Sequence, residues 1–137
     1  MSAPDRPEIP DLHFAAGLPG FPGARRFALV QWGDADSPFS VLRDLEDESV
    51  QFLVVHPAAF FPDYTPELDD AAVEALGLTA ADDAILLVIL TLGDRPEDAT
   101  ANLLGPIVIN RRTRQAAQVV VGDGWDTRQP LAAGTAR

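Results

Sequence analysis

Apolar residues recur along this chain in short runs separated by clusters of Gly, Pro, Asn and Asp, a spacing that predicts strands joined by tight turns. The expected strands are Leu12 to Ala15, Phe27 to Trp32, Phe39 to Leu45, Val50 to Val55, Ala84 to Leu92, Leu103 to Ile109 and Ala116 to Val121. Phe27, Leu29 and Gln31 alternate with Ala28, Val30 and Trp32, the period of a strand with two different faces. Gln51-Phe52-Leu53-Val54-Val55 and Ile85 to Leu90 are apolar on both faces and are therefore expected to be central strands. Between them, Asp69 to Gly77 predicts a two-turn helix, with Asp69 as its N-cap and Gly77 as its stop. Thr79-Ala80-Ala81-Asp82 has the spacing of a capping box with Asp in the Glu position, which predicts a further short helical turn. The pattern as a whole is that of a mainly β chain: a small antiparallel β-barrel-like single domain with one or two short helices. Its expected limits are residues 12–131, with 1–11 and 132–137 as flexible tails.

The turns carry further information. Gly17, Gly20 and Gly23 alternate with Pro19 and Pro22, which predicts a rigid loop. A phosphate cradle is disfavoured there, because two amide donors are missing and no strand-loop-helix context surrounds it. Arg111-Arg112-Thr113-Arg114 reads as a hairpin tip, and Gly122-Asp123-Gly124 as another turn.

Composition narrows the classes of function. The 137 residues are enough for one core, and the absence of cysteine removes disulfides, thiolate metal sites and thiol nucleophiles. Met1 to Asp11 carries three prolines and no apolar signal segment, and the longest apolar run, Ala84 to Leu92, is far shorter than the ~20 residues a helical membrane span needs. A soluble, cytoplasmic protein is expected, without membrane contact. Of the 21 acids, 16 lie between Asp34 and Asp98, where the only cations are Arg43 and Arg95. Residues 99–137 instead hold two acids and five arginines. An acidic middle of this kind repels a phosphate backbone and attracts a cationic partner, so direct nucleic-acid binding is disfavoured.

His56 to Asp70 is the segment that most resembles a recognition surface. Its prolines bar regular structure, and it sets Phe60, Phe61 and Tyr64 beside Asp63, Glu67, Asp69 and Asp70. Aromatic anchors within an acidic rim suit protein recognition. The competing expectation is that both phenylalanines fold back over one barrel end while the Tyr64 hydroxyl bonds a local backbone group. No catalytic set emerges: His13 and His56 lie in no metal or triad spacing, and His56 is expected to be a satisfied structural residue. The adjacent pairs Asp69-Asp70 and Asp82-Asp83 do not face each other across a substrate. Asp34-Ala35-Asp36-Ser37-Pro38 opens like a calcium loop but has Leu45 where the closing Glu belongs. No enzyme activity, metal or cofactor is expected; a small acidic hydrolase, or a module for a different basic partner, are the alternatives.

From Gly17-Leu18-Pro19-Gly20-Phe21, through Phe60-Phe61-Pro62-Asp63-Tyr64, to Thr100-Ala101-Asn102-Leu103-Leu104 and Pro106-Ile107-Val108-Ile109-Asn110, the ordered set of motifs resembles the FliW family of flagellar assembly factors. The resemblance implies a barrel-like protein that binds flagellin before its secretion and also binds the translational regulator CsrA. It implies that CsrA is antagonised allosterically, so that flagellin synthesis follows secretion. It also adds Asn102 and Asn110 to the candidate partner-binding residues. Two departures stand out: the usual first strand is shortened by the proline-rich Met1 to Asp11, which predicts an open sheet edge, and Trp125 stands where the family commonly has Tyr.

Overall fold

The computed structural model describes residues 7–15, 17–18, 23–31, 39–47, 49–64, 66–80, 83–94, 98–122 and 124–131. Among the described residues nine strands form one sheet: β1 (Pro7–Phe14), β2 (Arg26–Gln31), β3 (Phe39–Asp44), β4 (Gln51–Val55), β5 (Ala84–Thr91), β6 (Thr100–Ala101), β7 (Ile107–Asn110), β8 (Gln115–Gln118) and β9 (Gln129–Pro130). Their order is β4-β3-β2-β1-β8-β7-β5-β6-β9, and β4 pairs again with β5. That last pairing, Val54 with Ile89 and Val55 with Val88, closes seven of the strands into a barrel. Closure leaves β6 and β9 as a flap continuing outward from β5.

Strand alternation fills the barrel. Leu12 and Phe14, Phe27 and Leu29, and Ile107 and Ile109 are each two residues apart and at most 1% exposed, so one face of β1, β2 and β7 delivers its side chains inward. Phe14 and Phe27 meet edge to face at 5.2 Å between ring centres. Each fully buried side chain of this size contributes roughly 1.5–3 kcal/mol of transfer free energy.

The doubly apolar β4 and β5 are explained by a second core outside the barrel wall. Val54 and Leu87 face the interior, while Val55, Val88 and Leu90 face outward. The outward set packs under Phe60, Phe61, Tyr64, Ala99, Leu103 and Leu131. Both faces of these strands pack against apolar side chains, which is why neither alternates.

The helix falls where expected. α1 (Asp70–Leu76) begins after Asp69, whose carboxylate accepts the Ala72 N–H at 2.9 Å, and ends at Gly77 with φ 67°, the left-handed conformation that favours glycine. A 3-10 turn at Pro57–Ala59 is the only other helical element among the described residues longer than a single residue. Ala81 and Asp82 lie outside those residues, but the Thr79 hydroxyl donates to Asp83 at 2.8 Å, so Asp83 is the residue that Thr79 engages.

Three expectations change. β1 starts at Pro7 rather than Leu12, and residues 7–11, expected within the tail, belong to the barrel. The prolines are accommodated by breaks in register between Pro7 and Ile9 and between Ile9 and Leu12. Instead of leaving an open edge at its C-terminal end, β1 pairs in parallel with β8 through His13 and Phe14, and this short contact seals the barrel. The expected strand from Leu103 begins only at Ile107, because the Asn102 side chain turns the chain first. Trp32, the Asp34–Pro38 segment, and Pro19 to Phe21 of the glycine-rich loop lie outside the described residues.

Candidate partner-binding surface

After β4, Pro57 starts the 3-10 turn, and its carbonyl accepts the amides of Phe60 and Phe61 at 3.0 and 2.7 Å. This fixes both rings over the outer core, where Phe60 lies 5.7 Å from Phe39 and 6.4 Å from Phe61. The phenylalanines are thus the base of the surface, only partly open to solvent, rather than anchors held out to a partner. Tyr64 goes further inside, at 9% exposure. Its hydroxyl donates to the Leu103 carbonyl, 39 residues away and not local, and its ring meets Trp125 edge to face at 4.6 Å and 84°. Burial of the phenol pushes its pKa up from 10.0 to about 12. Trp125 supplies the ring that clamps Tyr64.

What remains outside is charge. Asp63, Glu67, Asp69 and Asp70 are all exposed, and Glu74 follows on α1. Glu67, Leu68 and Asp69 form one side of an open groove of about 500 Å³; Val120, Val121 and Gly122 form the other, with Trp125 beside them. Val120 is 74% exposed, an unusual position for a β-branched apolar residue. This opposite wall was not legible as a site: Val120 reads as the end of a strand, and only its solvent exposure distinguishes it.

Not every acid here is free to act. Because Asp69 caps α1, Asp69→Ala is expected to cost about 1 kcal/mol, read as a lower denaturant midpoint with an unchanged slope. A change in slope would show instead that the folded or unfolded state itself had been remodelled.

The two asparagines are committed to the fold. The Asn102 carboxamide oxygen accepts the amides of Leu104 at 3.1 Å and Gly105 at 2.9 Å, an Asx turn that leads into β7. A Cβ at Gly105 would come within 3.0 Å of the Gln118 amide nitrogen and 3.4 Å of the Asn102 one, so these side chains would have to shift by a few tenths of an ångström to admit it. Asn110 is 0% exposed and joins α1 to the β7–β8 hairpin, so its side chain offers nothing to a partner from this position. Asp83 makes a second tie between the same elements. It is bonded to Thr79 and paired with Arg112 at 3.1 Å, and these contacts, the Thr79 hydroxyl first, hold its carboxyl below the usual carboxylate range.

His13 lies 3.5 Å from Asp11, with both side chains substantially exposed. His56 is exposed rather than enclosed, and its side chain caps nothing in the turn that follows. No group of three His, Asp or Glu among the described residues is arranged to hold a metal ion, and no helix among them is long and apolar enough to cross a membrane.

A family model described as FliW protein matches residues 3–131. The flagellar assembly factor FliW of Bacillus licheniformis is 42% identical over 119 residues, covering 86% of this chain and 82% of that protein. The FliW of Bacillus subtilis is 37% identical over the same coverage, and that of Symbiobacterium thermophilum is 38% identical over 90% of this chain and 91% of its own. A crystal structure of a flagellar assembly factor FliW superposes with a TM-score of 0.83 at 36% identity, over 89% of this chain and 85% of that one.

Proposed function

The chain belongs to the FliW family of flagellar assembly factors, and from that premise we propose that it binds flagellin and the translational regulator CsrA. Flagellin held before secretion leaves no free factor; once flagellin is exported, the factor captures CsrA, and translation of flagellin resumes. Such a cycle belongs in the cytoplasm, and it needs binding rather than covalent chemistry.

The observation that carries the reading is the exposed acidic rim of Asp63, Glu67, Asp69 and Asp70, beside the partly buried Phe60 and Phe61 and the buried Tyr64. A protein that binds RNA presents cationic surface, because each phosphate contact exchanges a counterion for Lys or Arg. An acidic rim attracts such a protein over about 8–10 Å at moderate salt and raises its rate of encounter. It also repels the phosphates of any RNA still attached. Antagonism therefore needs no overlap between the site used by this chain and the site used by RNA.

The test has two parts. Purified CsrA bound to the immobilised chain should be displaced by monomeric flagellin; simultaneous binding of both would overturn the switch. Reversing Asp63, Glu67 and Asp70 to Lys, with the cap at Asp69 left intact, should slow CsrA association by at least about tenfold at low salt. The difference should shrink as salt rises, and the melting temperature should hardly move. An association rate equal to that of the parent protein would remove this rim from the site.

A further inference from the structure

Two of the barrel's strand pairings are only two residues long, and they differ in what covers them. β4 and β5 meet at Val54–Ile89 and Val55–Val88, with apolar packing on both faces. β1 and β8 meet at His13–Gln115 and Phe14–Ala116, the one parallel pairing among the described residues. The inner face of this seam is buried, at Phe14 and Ala116. Its outer face is the half-open His13 and the exposed Gln115, which line an open cleft of about 510 Å³ together with Arg25, Arg26 and Glu46. Water therefore reaches the seam from one side, and parallel pairs are the weaker kind.

The seam hangs on the β7–β8 turn. The Arg114 carbonyl accepts the His13 amide at 2.9 Å, and Arg114 holds φ 68°, a left-handed conformation that favours glycine, so strain is stored beside the seam and released when it opens. In the same turn, Asn110 bonds the last carbonyls of α1, at Leu76 and Gly77, while Arg112 reaches Asp83 and Thr79 just beyond the helix. Asn110 is 0% exposed, so turn and helix cannot part without giving up buried polar contacts. We propose that the β1–β8 seam, the β7–β8 turn and α1 open as one unit, so that whatever parts β1 from β8 also displaces the acids that α1 presents. The seam is then a regulatory hinge. Neither Asp70 nor Glu74 lines its cleft, yet it sets where both stand. The coupling holds whichever partner those acids meet, and does not depend on CsrA.

Amide hydrogen exchange followed by NMR tests the unit from both ends. The chain has no cysteine, so His13→Cys combined with Gln115→Cys places across the seam a pair that can bond only to itself within the molecule. Oxidised with diamide, this variant should exchange the Val73 and Leu78 amides at least about tenfold more slowly than the same protein reduced with dithiothreitol. Beside the β6–β9 flap, the amides of Leu103 and Leu131 should stay within about twofold, which separates coupling from a general gain in stability. From the other end, Asp69→Ala removes the N-cap of α1 and touches nothing at the seam, and the His13 amide should then exchange about fivefold faster. Equal α1 exchange in the oxidised and reduced forms, or a His13 amide indifferent to Asp69→Ala, would show two independent openings and overturn the unit. Slowing at Leu103 and Leu131 as large as that in α1 would overturn it as well.

Discussion

Asn110→Ala is expected to lower the unfolding free energy by about 3 kcal/mol and the melting temperature by roughly 10 °C. The side chain is fully enclosed, and its amide donates to the carbonyls of Leu76 at 2.7 Å and Gly77 at 3.2 Å. Its oxygen accepts the amides of Arg112 at 2.9 Å and Thr113 at 3.3 Å. One residue thus satisfies the last carbonyls of α1 and two amides of the β7–β8 turn, groups that helix and hairpin each leave unmatched by themselves. Truncation removes all four contacts and opens a cavity, so the cost exceeds that of a single lost bond. Equilibrium denaturation measures it, and a loss below about 1 kcal/mol would mean that water replaces the carboxamide. Because α1 carries Asp70 and Glu74, a loosened helix should also weaken the capture of a cationic partner at temperatures well below melting.

Residue patterns revealed most of this architecture, and the exceptions have physical causes. Strands β2 to β5 were legible because burial on one or both faces is written directly into the alternation of Phe27 to Gln31 and the unbroken apolar runs of Gln51–Val55 and Ala84–Thr91. Asp69 and Gly77 announced α1 because capping is local chemistry. Pairings that depend on distant partners were hidden. Pro7 and Pro10 argue against a strand, yet β1 forms because β2 lies alongside and the register breaks absorb the prolines. β6 and β9 are two residues each and exist only through pairing with β5 and with one another. Asn102 and Asn110, which the resemblance marks as candidate partner contacts, have turn and cap duties in the fold, and neither duty can be read without knowing where the chain returns. The acidic half of the surface was readable from charge alone. Its apolar part was not, since Val120 acquires meaning only from the groove it lines together with Glu67 and Leu68.

Tyr64→Ala is expected to be as damaging as the loss of Asn110, and Tyr64→Phe separates the reasons. Removing the ring abolishes its contact with Trp125 and leaves a void in the outer core, at about 3–4 kcal/mol. Trp125, which lines the groove with Glu67 to Asp69, then loses its ring partner, so partner capture should fall along with stability. Tyr64→Phe keeps the ring and loses only the bond to the Leu103 carbonyl, at about 1 kcal/mol near neutral pH. Alkaline pH adds an independent readout. The folded phenol titrates at about 12 and the unfolded one near 10.0. Below pH 10 both states hold the proton and its contribution is fully present. As pH rises from 10 toward 12 the unfolded chain releases the proton first, and stability declines by about 2 kcal/mol across that window. This is the only tyrosine in the chain, so tyrosinate absorbance follows the residue without interference from another phenol. Tyr64→Phe should flatten that part of the stability profile. If the decline persists undiminished in the Phe variant, the phenol is not its source.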